Sequence, residues 1–248
     1  MDAAFGAAAF VPGLALGSFL NVVAARLPEG RSVVRPPSAC MSCGTQLATR
    51  DNVPVLSWLV LRGRCRHCGE RIPWKYPVVE LATALLVAAC VAVFGLTWDA
   101  AVATLFCCAL VAVSITDFEH RIIPNRIVLP AAVLILAAQT VLHPSVEWAL
   151  AGLGASGFLL LAALAKPGGM GMGDVKLALL LGVMLGRVVP VALMLGMLAA
   201  LVPSLVLLAR HGSAARKMAI PFGPFLALGG VVGLFFGERL VDLYLSVL

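Results

Sequence analysis

Long stretches without a charge restrict this chain more than any other feature. Apolar blocks read as roughly 3–25, 78–96, 100–116, 127–142, 147–165, 175–188, 190–209 and 222–237. Most approach the ~20 residues that carry a helix across a bilayer core. Each block is continuously apolar rather than alternating, which selects helices over barrel strands. Charged residues make up only 12% of the 248 positions, against roughly 25% in a soluble domain. The expected fold is an all-α polytopic membrane protein. The N-terminal "MDAAFGAAAF" lacks the basic start of a secretory signal, so the first span is expected to be retained.

The region 175–209 is interrupted only by Arg187 and Pro190, and hydropathy allows two short helices or one long kinked one. Charge placement favours two. With eight spans and the N-terminus outside, the inside loops are 26–77, 117–126, 166–176 and 210–217. They hold 16 of the 18 Lys and Arg residues, the bias expected of cytoplasmic loops. A single span would move the "RHGSAARK" loop to the other side. The net charge of +6 therefore records orientation and attraction to anionic lipid, and no nucleic-acid partner is expected.

Seven cysteines divide into two kinds. Cys90, Cys107 and Cys108 lie within spans, where a thiol acts as a small apolar residue. The other four form "CMSC" at Cys40 and Cys43 and "CRHC" at Cys65 and Cys68. Each pair is followed by a glycine suited to a tight turn, and two C-x2-C pairs at this separation approach the zinc-ribbon pattern. Four thiolates suit a closed structural Zn2+ site, with His67 outside the ligand set. Two disulfides or a redox pair are the rivals, and placement in a reducing compartment argues against disulfides.

Few acidic residues invite a functional reading. Asp2, Asp99, Glu147, Glu238 and Asp242 fall at outer ends, and Glu29, Asp51 and Glu70 are expected to be solvated in the large loop. Asp117, in "VSITDFEHRIIPN", and Asp174, in "KPGGMGMGDVKL", come from distant segments to similar depth on the same side. A carboxylate there is costly and calls for an explanation. Two neighbouring carboxyls sharing one proton could activate a water on a peptide carbonyl and polarise the carbonyl oxygen. On topology alone, helix capping at Asp174 and boundary solvation at Asp117 account for the pair better than catalysis does. The glycines Gly168, Gly169, Gly171 and Gly173 are expected to bend the backbone and let a substrate strand approach Asp174.

The "GMGD" of Gly171–Asp174 resembles the G-x-G-D signature of membrane aspartyl proteases. Its company resembles the bacterial prepilin peptidases, or type IV leader peptidases. The likeness runs through "GSFLNVVAARLP" (17–28), the paired C-x2-C motifs and "NVPVLSWLVLRGRCRHCG" (52–69). It continues in "YPVVELATALL" (76–86), "TDFEHRIIPN" (116–125), "GMGDVKL" and "IPFGPFLALG" (220–229). The resemblance implies Asp117 and Asp174 as a catalytic dyad supported by Gly171 and Gly173. It implies a multi-pass protein of the bacterial inner membrane that cleaves leaders from prepilins or pseudopilins on the cytoplasmic side.

The cysteine-bearing loop is similar to that of bifunctional members, which then methylate the new N-terminus with S-adenosylmethionine. Glu80, in "YPVVEL", is a candidate for methyl transfer, with an interfacial charge pair as its plain alternative. Asn125 stands where many relatives have aspartate and is read as neutral. The expected organisation is 1–96, with two spans and the metal loop for methyl transfer, and 97–248 as the peptidase domain. A proton- or ion-coupled transporter using the boundary aspartates is one rival, and a zinc-dependent scaffold is another. A nucleotide site at the glycines is weak, because no strand precedes them and no G-K-[ST] follows.

Overall fold

The computed structural model describes residues 2–166, 170–212 and 220–246. Gly168, Gly169 and most of the "RHGSAARK" loop lie outside the described residues. The helices are α1 (Asp2–Arg26), α2 (Leu56–Val60), α3 (Lys75–Phe94), α4 (Trp98–His120), α5 (Asn125–Leu142), α6 (Glu147–Ala165), α7 (Met172–Leu185), α8 (Val189–His211) and α9 (Gly223–Leu245). Among the described residues β structure is confined to two isolated antiparallel bridges, Ala39 with Gln46 and Arg64 with Arg71. All of these helices except α2 are long apolar elements close to the expected blocks.

The 175–209 question is resolved by a 3-10 turn at Gly186–Val188 that separates α7 from α8. By length and composition, Met172–His211 qualifies as one 40-residue span. However, Gly186 adopts φ +54°, where a continuous helix cannot pass, and Pro190 sits in the first turn of α8.

The chain forms two compact units, Met1–Ala112 and Val113–Leu248, which divide within α4. In the first, α1 lies along α3. A Cβ at Gly17 would stand 2.6 Å from Glu80 Cα, so only glycine permits the approach. Cys90 and Cys107 sulfurs, 3.8 Å apart, join α3 to the first half of α4 within this unit.

In the second unit, α7 is buried on all sides, including Leu177, Leu180 and Leu181. Helix α6 packs on it where Gly182 meets Ala151 and Gly152. A 14-residue helix spans only about 21 Å, less than a bilayer core. Enclosure by protein removes the need to match lipid thickness, provided the ends are satisfied. At the C-terminal end Gln139 Nε2 donates to the Met184 carbonyl at 3.3 Å. There Glu147 accepts from the Arg187 backbone N–H at 2.7 Å, and the Arg187 guanidinium pairs with Glu238. These three charges, expected separately at outer ends, form one cluster at the end of α7 opposite Asp174.

Candidate active site and metal cluster

Asp117 occupies the last turn of α4, where its carbonyl accepts from Arg121 N–H at 3.0 Å as the helix ends. Asp174 lies in the first turn of α7. Both are almost fully buried, at 7% and 8% exposure, so neither is a solvated boundary residue. Their carboxyl groups are close enough to act on each other electrostatically. Thus two residues 57 positions apart in the numbering share one site.

The capping expectation for Asp174 does not hold. Gly171 is the residue ahead of α7, with extended backbone and no side-chain cap bond. Asp174 instead donates its own N–H to the Gly171 carbonyl at 3.1 Å. A carboxylate inside the first turn still faces the favourable end of the helix dipole.

The glycines also acquire a different reason. A Cβ at Gly173 would come within 2.8 Å of Ile123 Cβ, and one at Gly171 within 3.2 Å of Asp174 Oδ2. The space at Gly173 is therefore filled by Ile123, from the segment that follows Asp117, and not left for a substrate strand. The two motifs are joined again where Lys176 Nζ donates to Asn125 Oδ1 at 2.9 Å. Asn125, neutral on sequence grounds, is one end of that link.

Sequence reasoning missed a third participant. The Gly223 N–H, at the start of α9, donates to Asp117 Oδ2 at 2.8 Å. The first N–H groups of a helix have no partners inside it, and this one is aimed at a buried carboxyl. A Cβ at Gly223 would stand 2.8 Å from the same oxygen. The only sequence signal was the "PFGPF" segment, whose spacing says nothing about its partner.

In the large loop, Cys40, Cys43, Cys65 and Cys68 bring one sulfur each within 4.8 Å of all the others. Cys40 and Cys68 sulfurs lie 3.7 Å apart, close to the edge of a tetrahedron with ~2.3 Å metal–sulfur bonds. Both C-x2-C pairs use the same turn. Cys40 N–H donates to Thr45 and Cys65 N–H to Glu70, while Gly44 and Gly69 N–H groups return to Cys40 and Cys65 carbonyls. Gly44 and Gly69 take φ of +69° and +72°. This structural repeat has no counterpart in sequence similarity, because only the cysteines and glycines define it.

The thiols are free, with no disulfide among the described residues. The Thr45 hydroxyl and backbone lower Cys43 to about 6. At Cys68 the Glu70 backbone contact lowers the value, but burial and the neighbouring thiols outweigh it and push it up to about 12. The cluster thus holds both an easily ionised thiol and a retained proton, the mixture a cation would resolve by expelling the proton.

Asp51, expected to be solvated, is instead buried, and Arg66 Nη2 binds its Oδ1 at 2.7 Å. The pairing holds the Asp51 carboxyl below its ordinary range and braces the segment between Cys65 and Cys68.

Glu80 is buried in α3. Its Oε2 accepts from the Val55 N–H at 2.7 Å. Val55 has φ +60°, and Leu56 N–H reaches back to the Pro54 carbonyl at 2.6 Å. That is a classic γ-turn, rare for a β-branched residue. Glu80 therefore fastens the loop to the spans.

Residues 11–94 match the bacterial peptidase A24 N-terminal domain, and residues 104–208 match the type IV leader peptidase family. A prepilin leader peptidase/N-methyltransferase of Bacillus subtilis is 35% identical, covering 96% of this chain and 97% of its own length. The protein of the same description from Pseudomonas aeruginosa is 35% identical over 94% of this chain and 91% of its own. One from Myxococcus xanthus is 49% identical over 49% of this chain and 36% of its own length. No solved structure gives a significant match.

Proposed function

The chain belongs to the type IV leader peptidase family, and from that membership we propose that Asp117 and Asp174 are the dyad with which it cleaves prepilin leaders. The observation that carries the residue assignment is the pairing of two buried carboxyls from distant helices, one of them held by the Gly223 N–H.

The helix terminus at Gly223 favours charge on Asp117, making it the base. Asp174 then carries the shared proton. Asp117 takes a proton from water as the water oxygen bonds to the scissile carbonyl carbon, and Asp174 donates to the carbonyl oxygen. Collapse of the tetrahedral intermediate breaks the C–N bond, with a proton passing to the leaving amine. A prepilin presents its leader junction at the membrane boundary, the depth at which the dyad lies. By the charge bias of the loops, that boundary is the cytoplasmic face of the inner membrane.

The protein is also an N-methyltransferase acting on the new N-terminus, with S-adenosylmethionine as the proposed donor. The region up to about residue 96 would serve this step, and 97–248 the cleavage. Glu80 would support methyl transfer by holding the loop at Val55. The Cys40, Cys43, Cys65 and Cys68 cluster fits Zn2+ in thiol count and sulfur spacing. Bound there, the ion would cross-link the two turns and supply no open position for chemistry.

The test uses purified protein with a prepilin, with and without S-adenosylmethionine, reading both product masses. Asp117→Asn and Asp174→Asn are each expected to lower cleavage by about 10²–10⁴-fold, while methylation of an already cleaved pilin persists. Near-wild-type cleavage by either variant would sink the assignment.

A further inference from the structure

The metal loop carries a second feature to which no step above is assigned. Trp58, Arg62, Arg64, Arg71, Pro73 and Trp74 line a cleft of about 360 Å³. Its walls are fixed: Trp58 Nε1 donates to the Ile72 carbonyl at 3.1 Å, and the Trp58 ring lies over Gly63, where a Cβ would stand 2.9 Å from it.

The charges in the cleft are poorly matched without a ligand. Arg64 and Arg71 face each other in an antiparallel bridge. The flanking bonds, Cys65 N–H to Glu70 and Ile72 N–H to Gly63, make this the non-hydrogen-bonded pairing, in which side chains are closest. Like charges directly opposite are unfavourable. Among the described residues no carboxylate offsets them. Asp51 is bound to Arg66 and Glu29 to Arg31, while Glu70 bonds the Arg71 backbone N–H. Arg62, Arg64 and Arg71 carry no ion pair among the described residues, and the cleft they line together with two tryptophans suits an anion. S-adenosylmethionine, with a sulfonium and an ammonium against one carboxylate, has the wrong net charge.

The depth of the loop indicates where that anion comes from. Helix α3 has 20 residues, about 30 Å, enough to fill a bilayer core. Glu80 lies about 7.5 Å along it from Lys75 and binds Val55, immediately before α2. The start of α2 is therefore drawn to within a side chain's reach of that level. There Leu56, Leu59 and Val60 are 60%, 57% and 76% exposed, and Trp74, just before α3, is 71% exposed. Trp58 of α2 and Trp74 at the head of α3 share the cleft with the arginines, so exposed apolar side chains and cations occur together in this loop. An apolar face with indoles and cations at its edge suits a membrane interface.

We propose that α2 lies in the membrane interface and that the cleft between Trp58 and Trp74 holds the phosphate of an anionic phospholipid on Arg62, Arg64 and Arg71. The test places the full-length protein, with Trp98→Phe and Trp148→Phe, in phosphatidylcholine nanodiscs. These contain equal fractions of either brominated phosphatidylglycerol or brominated phosphatidylcholine. Quenching of Trp58 and Trp74 is expected to be stronger with the anionic lipid. Its apparent affinity should drop about five-fold for each arginine changed to glutamine. Arg64→Gln alone, with unchanged metal content, keeps the test valid if the triple variant does not fold. Equal quenching by the two lipids would overturn the proposal, as would relief of quenching by inorganic phosphate or S-adenosylmethionine.

Discussion

The Gly223 N–H and Asp117 Oδ2, 106 positions apart, meet at 2.8 Å in a buried hydrogen bond. This contact couples the start of α9 to the end of α4, and it makes Gly223 a positioning residue for the proposed base. Gly223→Ala would drive a Cβ to 2.8 Å from that oxygen. We expect cleavage to fall about 10–100-fold, the scale of a lost hydrogen bond to a charged group, with membrane abundance unchanged. A prepilin cleavage assay alongside quantitative immunoblotting checks both parts.

Ile123 and Gly173 make a complementary pair. Gly173→Val should nearly abolish cleavage, because its side chain collides with Ile123 and displaces the first turn of α7. Adding Ile123→Ala should restore part of the activity by vacating the contested space. Failure of the double variant to improve on the single one would show that the glycine is needed for another reason.

The Lys176–Asn125 bond predicts a graded effect. Lys176→Met should slow cleavage a few-fold, the consequence of losing a partly exposed bond of about 1 kcal/mol. Asn125→Asp should be neutral or mildly stabilising, since it turns the bond into an ion pair. Thermal melting in detergent together with cleavage rates would reveal either deviation.

Metal affinity should rise with pH. Cys43, lowered to about 6, is ionised at neutral pH, whereas Cys68, pushed up to about 12, keeps a proton that the metal must displace. Each proton expelled makes apparent affinity rise about ten-fold per pH unit. Competition with a chromophoric chelator between neutral and mildly alkaline pH measures the slope, and a flat profile would exclude a thiolate cage. Cys65→Ser or chelation is expected to impair methylation more than cleavage. Equal loss of both would mean that the loop supports the whole enzyme.

Asp51 gives an acid-side prediction. Its carboxyl is held below the ordinary value by Arg66, so the pair's contribution to stability is fully present above the unfolded value and is lost as pH falls through the lower folded one. Asp51→Asn should therefore weaken metal retention at neutral pH, and acidification should narrow the gap between wild type and variant. A gap that widens in acid would contradict this pairing.

The linear sequence determined which segments are helical and apolar, because continuous hydrophobicity and charge at block ends are local properties that lipid reads directly. It also determined the thiol set, since C-x2-C-G brings its own turn. Asp117 and Asp174 stood out as costly charges at block ends, so the candidate site was visible as residue types. What they touch was not. Burial of α7 on all sides, the Gly223 donor, the Ile123–Gly173 contact and the Asp51–Arg66 pair depend on helices far apart in the chain packing together. No local pattern encodes such meetings. The tertiary structure alone decided them, because a close approach or a hydrogen bond exists only when both partners are in place.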